Sequence, residues 1–251
     1  MKKWIVFCMA FISPQIVWAT DIQATLEWSQ RVELSTPISG TVQSVNVEVG
    51  DRVKKGQILL SLDDTFLQAK VDQNKSELTR LNAEAEECRR ELDRVLELHE
   101  RTVVATTELD QAKLSALRSE SLIAEAKARL RQNQRVLDDA AIRAPFDAVV
   151  ILRNAETGQS VVTGLQSQML LTLAKSGEMI ARAQLASAQL DQLKINQAVI
   201  VKVGGKNFTG KIKTLGLEPI ETSDELVYLV EVVFTCLETL RAGTPALLQL
   251  P

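Results

Sequence analysis

Apolar and polar residues alternate through TVQSVNVEVGDRVKKGQILLSL, residues 41–62, the period-two signature of strands with one buried face. The pattern returns 108 positions later: Pro37, Val42, Gly50, Val53 and Gly56 land on Pro145, Val150, Gly158, Val161 and Gly164. After a three-residue slip, ILLSL at 58–62 lies over MLLTL at 169–173. Gly40, Gly50, Gly56, Gly158 and Gly164 are read as turn positions that need positive φ. The two halves, 33–64 and 141–174, predict one small two-fold β-sandwich.

Between Gln57 and Ala144 no Gly or Pro occurs, and so long an avoidance of helix breakers predicts helix. Apolar or small residues there recur at steps of four and three: Leu67, Val71, Asn74, Leu78, Leu81, Ala85, Cys88, Leu92 and Val95, then Leu109, Ala112, Ala116, Ser119, Ile123, Ala126, Leu130, Asn133, Leu137 and Ala140. These are heptad seams on two helices, about 65–101 and 106–139. Both must rejoin one sandwich, so they fold back as an antiparallel hairpin over 65–140, with the turn near Val103 and Val104. Residues whose numbers total about 207 then face each other. Leu81 meets Ala126, Ala85 meets Ile123, Leu92 meets Ala116 and Val95 meets Ala112, so large residues oppose small ones. The register also sets Asn74 against Asn133, a buried amide pair that fixes alignment if mutually hydrogen-bonded, or two partly wetted amides near the base. Glu86 with Arg90, Glu97 with Arg101 and Glu125 with Arg129 are i,i+4 pairs for the outer face.

From Glu178 the period changes once more. Met179, Ala181, Ala183 and Leu185 alternate, a short helix is expected around 188–193, and strands at 198–203, 208–215 and 226–234 follow, with Gly204-Gly205 as a two-residue hairpin turn. IQATLEW at 22–28 alternates too. Residues 20–32 and 175–251 together predict a small β-barrel.

Residues 1–19 read as a cleaved export signal, with an uncleaved anchor as the alternative: Lys2 and Lys3, an apolar run over 4–12, and Val17-Trp18-Ala19 at the cleavage site. Removing it takes two of 29 Lys and Arg and leaves 27 against 32 Asp and Glu, a net charge of −5. That balance gives no reason to expect nucleic-acid binding. Cys88 and Cys236 are expected in different domains and unpaired. No nucleophile elbow, zinc-helix motif or phosphate loop is present, and the single histidine, His99, has no ligand cluster around it in sequence. No enzyme, metal or cofactor is expected.

PISGTVQSVNVEVGDRVKKGQILLSLD at 37–63, IRAPFDAVV at 142–150 and the nested order of half-sandwich, hairpin, half-sandwich and barrel resemble the periplasmic adaptor or membrane fusion protein family, HlyD-like in the broad sense. The resemblance implies an elongated α+β fold: a lipoyl-like β-sandwich split by an antiparallel coiled-coil α-hairpin and followed by a small β-barrel. It implies a non-enzymatic adaptor in the periplasm of a Gram-negative bacterium, held at the inner membrane through its partner. The expected partners are an inner-membrane transporter (RND-type first, ABC-type second), a TolC-like outer-membrane channel, and further copies of the chain in a ring. In the efflux branch the hairpin tip touches the channel through an Arg, a Leu four residues later and a Ser seven further on. Arg94 and Leu98 match, Ala105 stands in the Ser position, and Thr106 or Thr107 is expected to take over the capping role. Ala148 stands where the second half has Gly, tolerable if that backbone is extended. Many members carry a membrane-proximal domain after the barrel, whereas Pro251 follows it directly here, which leaves the mode of transporter docking open. A lipoate or biotin carrier would need a lysine on the turn joining the halves, where this chain has Leu62-Asp63-Asp64-Thr65. A coiled-coil scaffold without a transport role is the remaining rival.

Overall fold

The computed structural model describes residues 21–164, 168–222, 225–238 and 240–250, so the export signal read at 1–19 lies outside the described residues. In chain order the elements are β1 (Asp21–Trp28), β2 (Arg31–Leu34), β3 (Gly40–Val45), β4 (Arg52–Val53), β5 (Ile58–Leu62), α1 (Thr65–Glu100) and α2 (Thr106–Asp138). They continue as β6 (Ala141–Arg143), β7 (Ala148–Arg153), β8 (Ser160–Val161), β9 (Leu171–Lys175), β10 (Glu178–Ala186), α3 (Ser187–Leu190), β11 (Ala198–Val203), β12 (Lys206–Thr222), β13 (Glu225–Thr235) and β14 (Pro245–Gln249). Two compact units result, one over Arg31–Ala174 and one combining the segment up to Gln30 with Lys175 onward.

In the Arg31–Ala174 unit two four-stranded sheets, β2-β9-β7-β4 and β6-β5-β3-β8, face each other. Each takes two strands from either half of the repeat, and the pairings obey the 108-residue offset. Gly40 pairs with Val161 as Ala148 pairs with Val53, and Thr41 with Ser160 as Val149 with Arg52. The turns repeat it too. Gly50 N–H donates to Val150 O and Gly158 N–H to Val42 O, both at 2.8 Å, with φ of 99° and 87° at the two glycines, values that L side chains rarely adopt. Gly56 and Gly164 also have positive φ. Gly40 corrects the expectation for all five, because it opens β3 as a strand residue, and its mate Ala148 carries a methyl group fully buried in β7. The core between the sheets is Val42, Leu59, Leu60 and Leu62 from one half and Val150, Leu170, Leu171 and Leu173 from the other.

The hairpin leaves from β5 and returns to β6, its antiparallel neighbour in one sheet. That adjacency brings the two helices back side by side, and Leu62 N–H closes the base on Ala140 O at 2.8 Å. At the start of α1, Asp63 accepts from Thr65 N–H at 3.1 Å and from its hydroxyl at 2.7 Å. The hydroxyl bond first, then the backbone one, holds the Asp63 carboxyl below the usual range. Every seam residue named above is buried or half-buried. Arg89 bridges to Glu120 at 2.9 Å and Cys88 Sγ lies 3.6 Å from Ser115 Oγ. Asn74 and Asn133 line one cleft with Gln73, Gln132 and Arg129, as the 207 register requires. Their mutual hydrogen bond is replaced, however: Asn74 Nδ2 donates back along its own helix to Lys70 O at 2.6 Å. Arg90 likewise turns to Glu87, three residues back, rather than to Glu86, whereas Glu97–Arg101 and Glu125–Arg129 form as expected.

In the other unit six strands close a barrel in the order β1-β10-β13-β12-β11-β14. Closure removes exposed edges, and the alternating residues Leu26, Ala181, Val201, Ile212, Val230, Val232 and Leu248 fill its interior. Val203 pairs with Lys206 across the Gly204-Gly205 turn, both glycines at positive φ, as a tight hairpin of this kind needs. Strand β12 runs on to Thr222 through two register shifts, past the expected end at 215. Strand β14, which pairs with both β1 and β11, was not anticipated. Arg31 and Val32 also leave the barrel, pairing with Ala174 and Leu173 in the sandwich. Cys88 is half-buried and Cys236 buried, and both are free thiols.

Candidate functional site

The tip of the hairpin is a five-residue turn, Arg101 to Ala105, between two helices that each span about 50–54 Å at 1.5 Å per residue. Helix α1 stops there without a glycine. Thr102 takes φ 58° and its N–H donates to His99 O at 2.9 Å, while Val103 N–H donates to Leu98 O at 3.0 Å. The two bonds make a Schellman stop, with a β-branched residue where glycine is the usual occupant. Such a conformation costs about 1–2 kcal/mol.

Helix α2 starts by packing instead of by capping. Val104, the residue before the N-cap, joins Leu109, Val95 and Ala112 in a small apolar cluster with Leu92 and Leu96, the arrangement of a hydrophobic staple. Ala105 is the N-cap residue, extended at φ −73° and ψ 154°, and no side chain caps the helix. This corrects the expectation that Thr106 or Thr107 would do so. Thr106 is already the first helical residue, and its hydroxyl lies 3.5 Å from His99 Nε2 on the opposite helix. Glu108, at the third position, is in place for a capping box whose hydroxyl member is missing.

Arg94 and Leu98 sit one turn apart on the last stretch of α1. Arg94 is 68% exposed and paired with Glu91 one turn back, a surface pair of about 0–1 kcal/mol that a partner can displace. Leu98 is half-buried, and Ala105 and Thr106 are exposed. The structure thus brings Arg94, Leu98, Ala105 and Thr106 to one end of the hairpin, within about two helical turns of each other. Val103, 66% exposed at the apex, stands where the sequence sets the turn, although the sequence does not single it out as a candidate site residue.

Among the described residues no group of three or more His, Cys, Asp or Glu could hold a metal ion, and no helix is long and apolar enough to cross a membrane. The tip presents a guanidinium, aliphatic side chains and the N-terminus of a helix.

Residues 30–175, more than half of the chain, fit the family described as CzcB-like, barrel-sandwich hybrid domain. The macrolide export protein MacA of Yersinia pestis is 30% identical over 222 residues, 81% of this chain and 59% of MacA. The pyoverdine export membrane fusion protein PvdR of Pseudomonas putida is 30% identical over 209 residues, 73% of this chain and 52% of PvdR. The chain therefore spans between 52% and 59% of the length of these curated relatives. Among solved structures, the membrane fusion protein Spr0693 from Streptococcus pneumoniae R6 superimposes with a TM-score of 0.72 over 92% of this chain and 98% of that one, at 17% identity, a likeness of fold alone. With its repeat-built sandwich interrupted by a helical hairpin, this chain belongs to the CzcB-like barrel-sandwich hybrid family and is a member of the periplasmic adaptor or membrane fusion proteins.

Proposed function

We propose that this chain is the periplasmic adaptor of a tripartite efflux system, linking an inner-membrane transporter to a TolC-like outer-membrane channel through its hairpin tip. The observation that carries the reading is the hairpin itself: about 50 Å of paired helix, rooted on two adjacent strands of one sheet, ending in exposed Arg94, Val103 and Thr106. The names of the relatives, macrolide export and pyoverdine export, support small-molecule export. Several copies assemble as a ring with their lipoyl-like domains side by side and the hairpins reaching outward, and the energy for transport comes from the partner, taken as RND-type.

Charge reversal at Arg94 tests the docking role. Arg94→Glu places a carboxylate beside Glu91 and removes the guanidinium, so export should fall while circular dichroism and thermal melting of the purified chain stay unchanged. Unimpaired export would remove Arg94 from the docking surface. Affinity capture of the full chain from the envelope tests the partners separately. Recovery of an ABC exporter overturns the RND assignment alone, and recovery of neither transporter nor channel favours a scaffold.

A further inference from the structure

One layer of the hairpin seam is polar. Val71 toward the base and Leu81 toward the tip are buried, as a coiled coil requires, whereas Asn74 and Asn133 hold the seam positions between them. Such a layer ordinarily fixes alignment through a bond between its amides, but here Asn74 Nδ2 donates to Lys70 O of its own helix at 2.6 Å. Asn133 is left 9% exposed, and among the described residues its carboxamide has no hydrogen-bond partner. That carboxamide lines a cleft of about 610 Å³ between α1 and α2, within the roughly 300–1,000 Å³ of small-molecule sites. A nearly buried amide whose bonds must come from the cleft is the kind of group that orients a guest.

We propose that the cleft binds a small hydroxylated ligand carrying one negative charge, of the sugar-acid class. Every residue that lines it is polar or charged, which disfavours an apolar guest. Hydroxyl groups both donate and accept, and carboxamides do the same. Asn133 offers both functions, Asn74 keeps its carbonyl oxygen, and Gln73 and Gln132 stand exposed at the rim. The charge follows from what is already paired. Arg80 is held by Glu77 and Glu84, and Arg129 by Glu125, so the lining cation without an acidic partner among the described residues is Lys70. One ammonium beside a set of amides calls for one carboxylate. Asn74 lies about 40 Å of helix from the turn at Arg101, and the site stands whether or not the tip docks.

Heteronuclear NMR of the full chain, titrated with glucuronate, glucose and acetate, tests it. Glucuronate should move and saturate the side-chain amide signal of Asn133. Glucose should bind roughly two- to five-fold more weakly, for want of the Lys70 ion pair, and acetate, which has no hydroxyls, should leave Asn133 unmoved. Lys70→Gln should bring glucuronate down to the glucose value. Asn133→Leu completes the apolar seam, so it should raise the melting temperature while weakening glucuronate at least roughly tenfold. An Asn133 signal that glucuronate does not move leaves the cleft to water and overturns the proposal. So does acetate acting as well as glucuronate, or a glucuronate affinity that is unchanged in Asn133→Leu or in Lys70→Gln.

Discussion

Replacing Thr102 with glycine should tighten the hairpin tip. The native residue holds φ at 58°, a left-handed conformation that costs a β-branched side chain about 1–2 kcal/mol. Glycine escapes that cost but loses about 0.5–1 kcal/mol more chain entropy on folding. The net gain is about 0.5–1 kcal/mol, because both turn hydrogen bonds, Thr102 N–H to His99 O and Val103 N–H to Leu98 O, are made by the backbone and survive the change. Native-state amide exchange at residue 103 and through the last turn of α1 reads the local opening equilibrium directly. After correction for intrinsic rates, protection should rise roughly two- to five-fold. Val103→Gly, one position on, relieves no positive φ and should lower protection instead. If Thr102→Gly exchanges as fast as the parent or faster, the strain assigned to this turn is not there.

Further outcomes follow from the same geometry. Ala105→Ser completes a Ser-x-x-Glu capping box with Glu108 and should stabilise the start of α2 by about 1 kcal/mol, read as added protection in its first turn. In the sandwich, Gly50→Ala places a methyl at φ 99° and should cost about 1–2 kcal/mol in urea unfolding. Gly40→Ala, with its Cβ in ordinary contact 3.5 Å from Leu62 Cδ1, should be neutral or slightly stabilising. Asp147 accepts the Lys55 backbone N–H at 2.9 Å and Lys54 Nζ at 3.2 Å, and these bonds hold its carboxyl below the usual range, the backbone one foremost. Its folded pKa lies under its unfolded one, so its stabilisation is full above about pH 4 and is lost as pH falls through the folded value. Melting temperatures recorded against pH should therefore decline less steeply in acid for Asp147→Asn.

The two-fold sandwich was legible because it was written twice. A shift of 108 positions aligned Gly50 with Gly158 and Val53 with Val161, and the cross-pairings of β3 with β8 and β4 with β7 follow the same offset. The seam was legible because each of its residues recurs on a three-four spacing that only a helix turns to one side. What escaped depended on partners far away in the chain. Strand β14 opens with Pro245, has only Ala246 and Leu248 facing inward, and exists because β1 and β11 need it to close the barrel. Strand β12 passes through Gly216 and Pro219, residues that read as its end, since register shifts absorb them. Gly40 read as a turn because its neighbours in the motif are turns, although Ala148 at the matching position already implied an extended backbone.

At the tip, sequence placed Arg94, Leu98, Ala105 and Thr106 by resemblance, and the structure brings them to one end of the hairpin. The conformations there were not legible. A left-handed residue is usually announced by glycine or asparagine, and Thr102 is neither. The start of α2 was assigned to a threonine hydroxyl, whereas the staple between Val104 and Leu109 orders the entry without one. Asn74 shows the same limit: its position in the seam was correct, but a carboxamide one turn from a backbone carbonyl has a nearer acceptor than the opposite helix offers.

The central claim, that a hairpin rooted in the sandwich presents its tip to an outer-membrane channel, is tested most directly by site-specific photocrosslinking in intact cells. A photoreactive side chain in place of Val103 should capture a TolC-like channel, and the same group in place of Ser76, toward the base of α1, should not. Equal capture from both positions, or none from the apex in cells that are exporting, would contradict it.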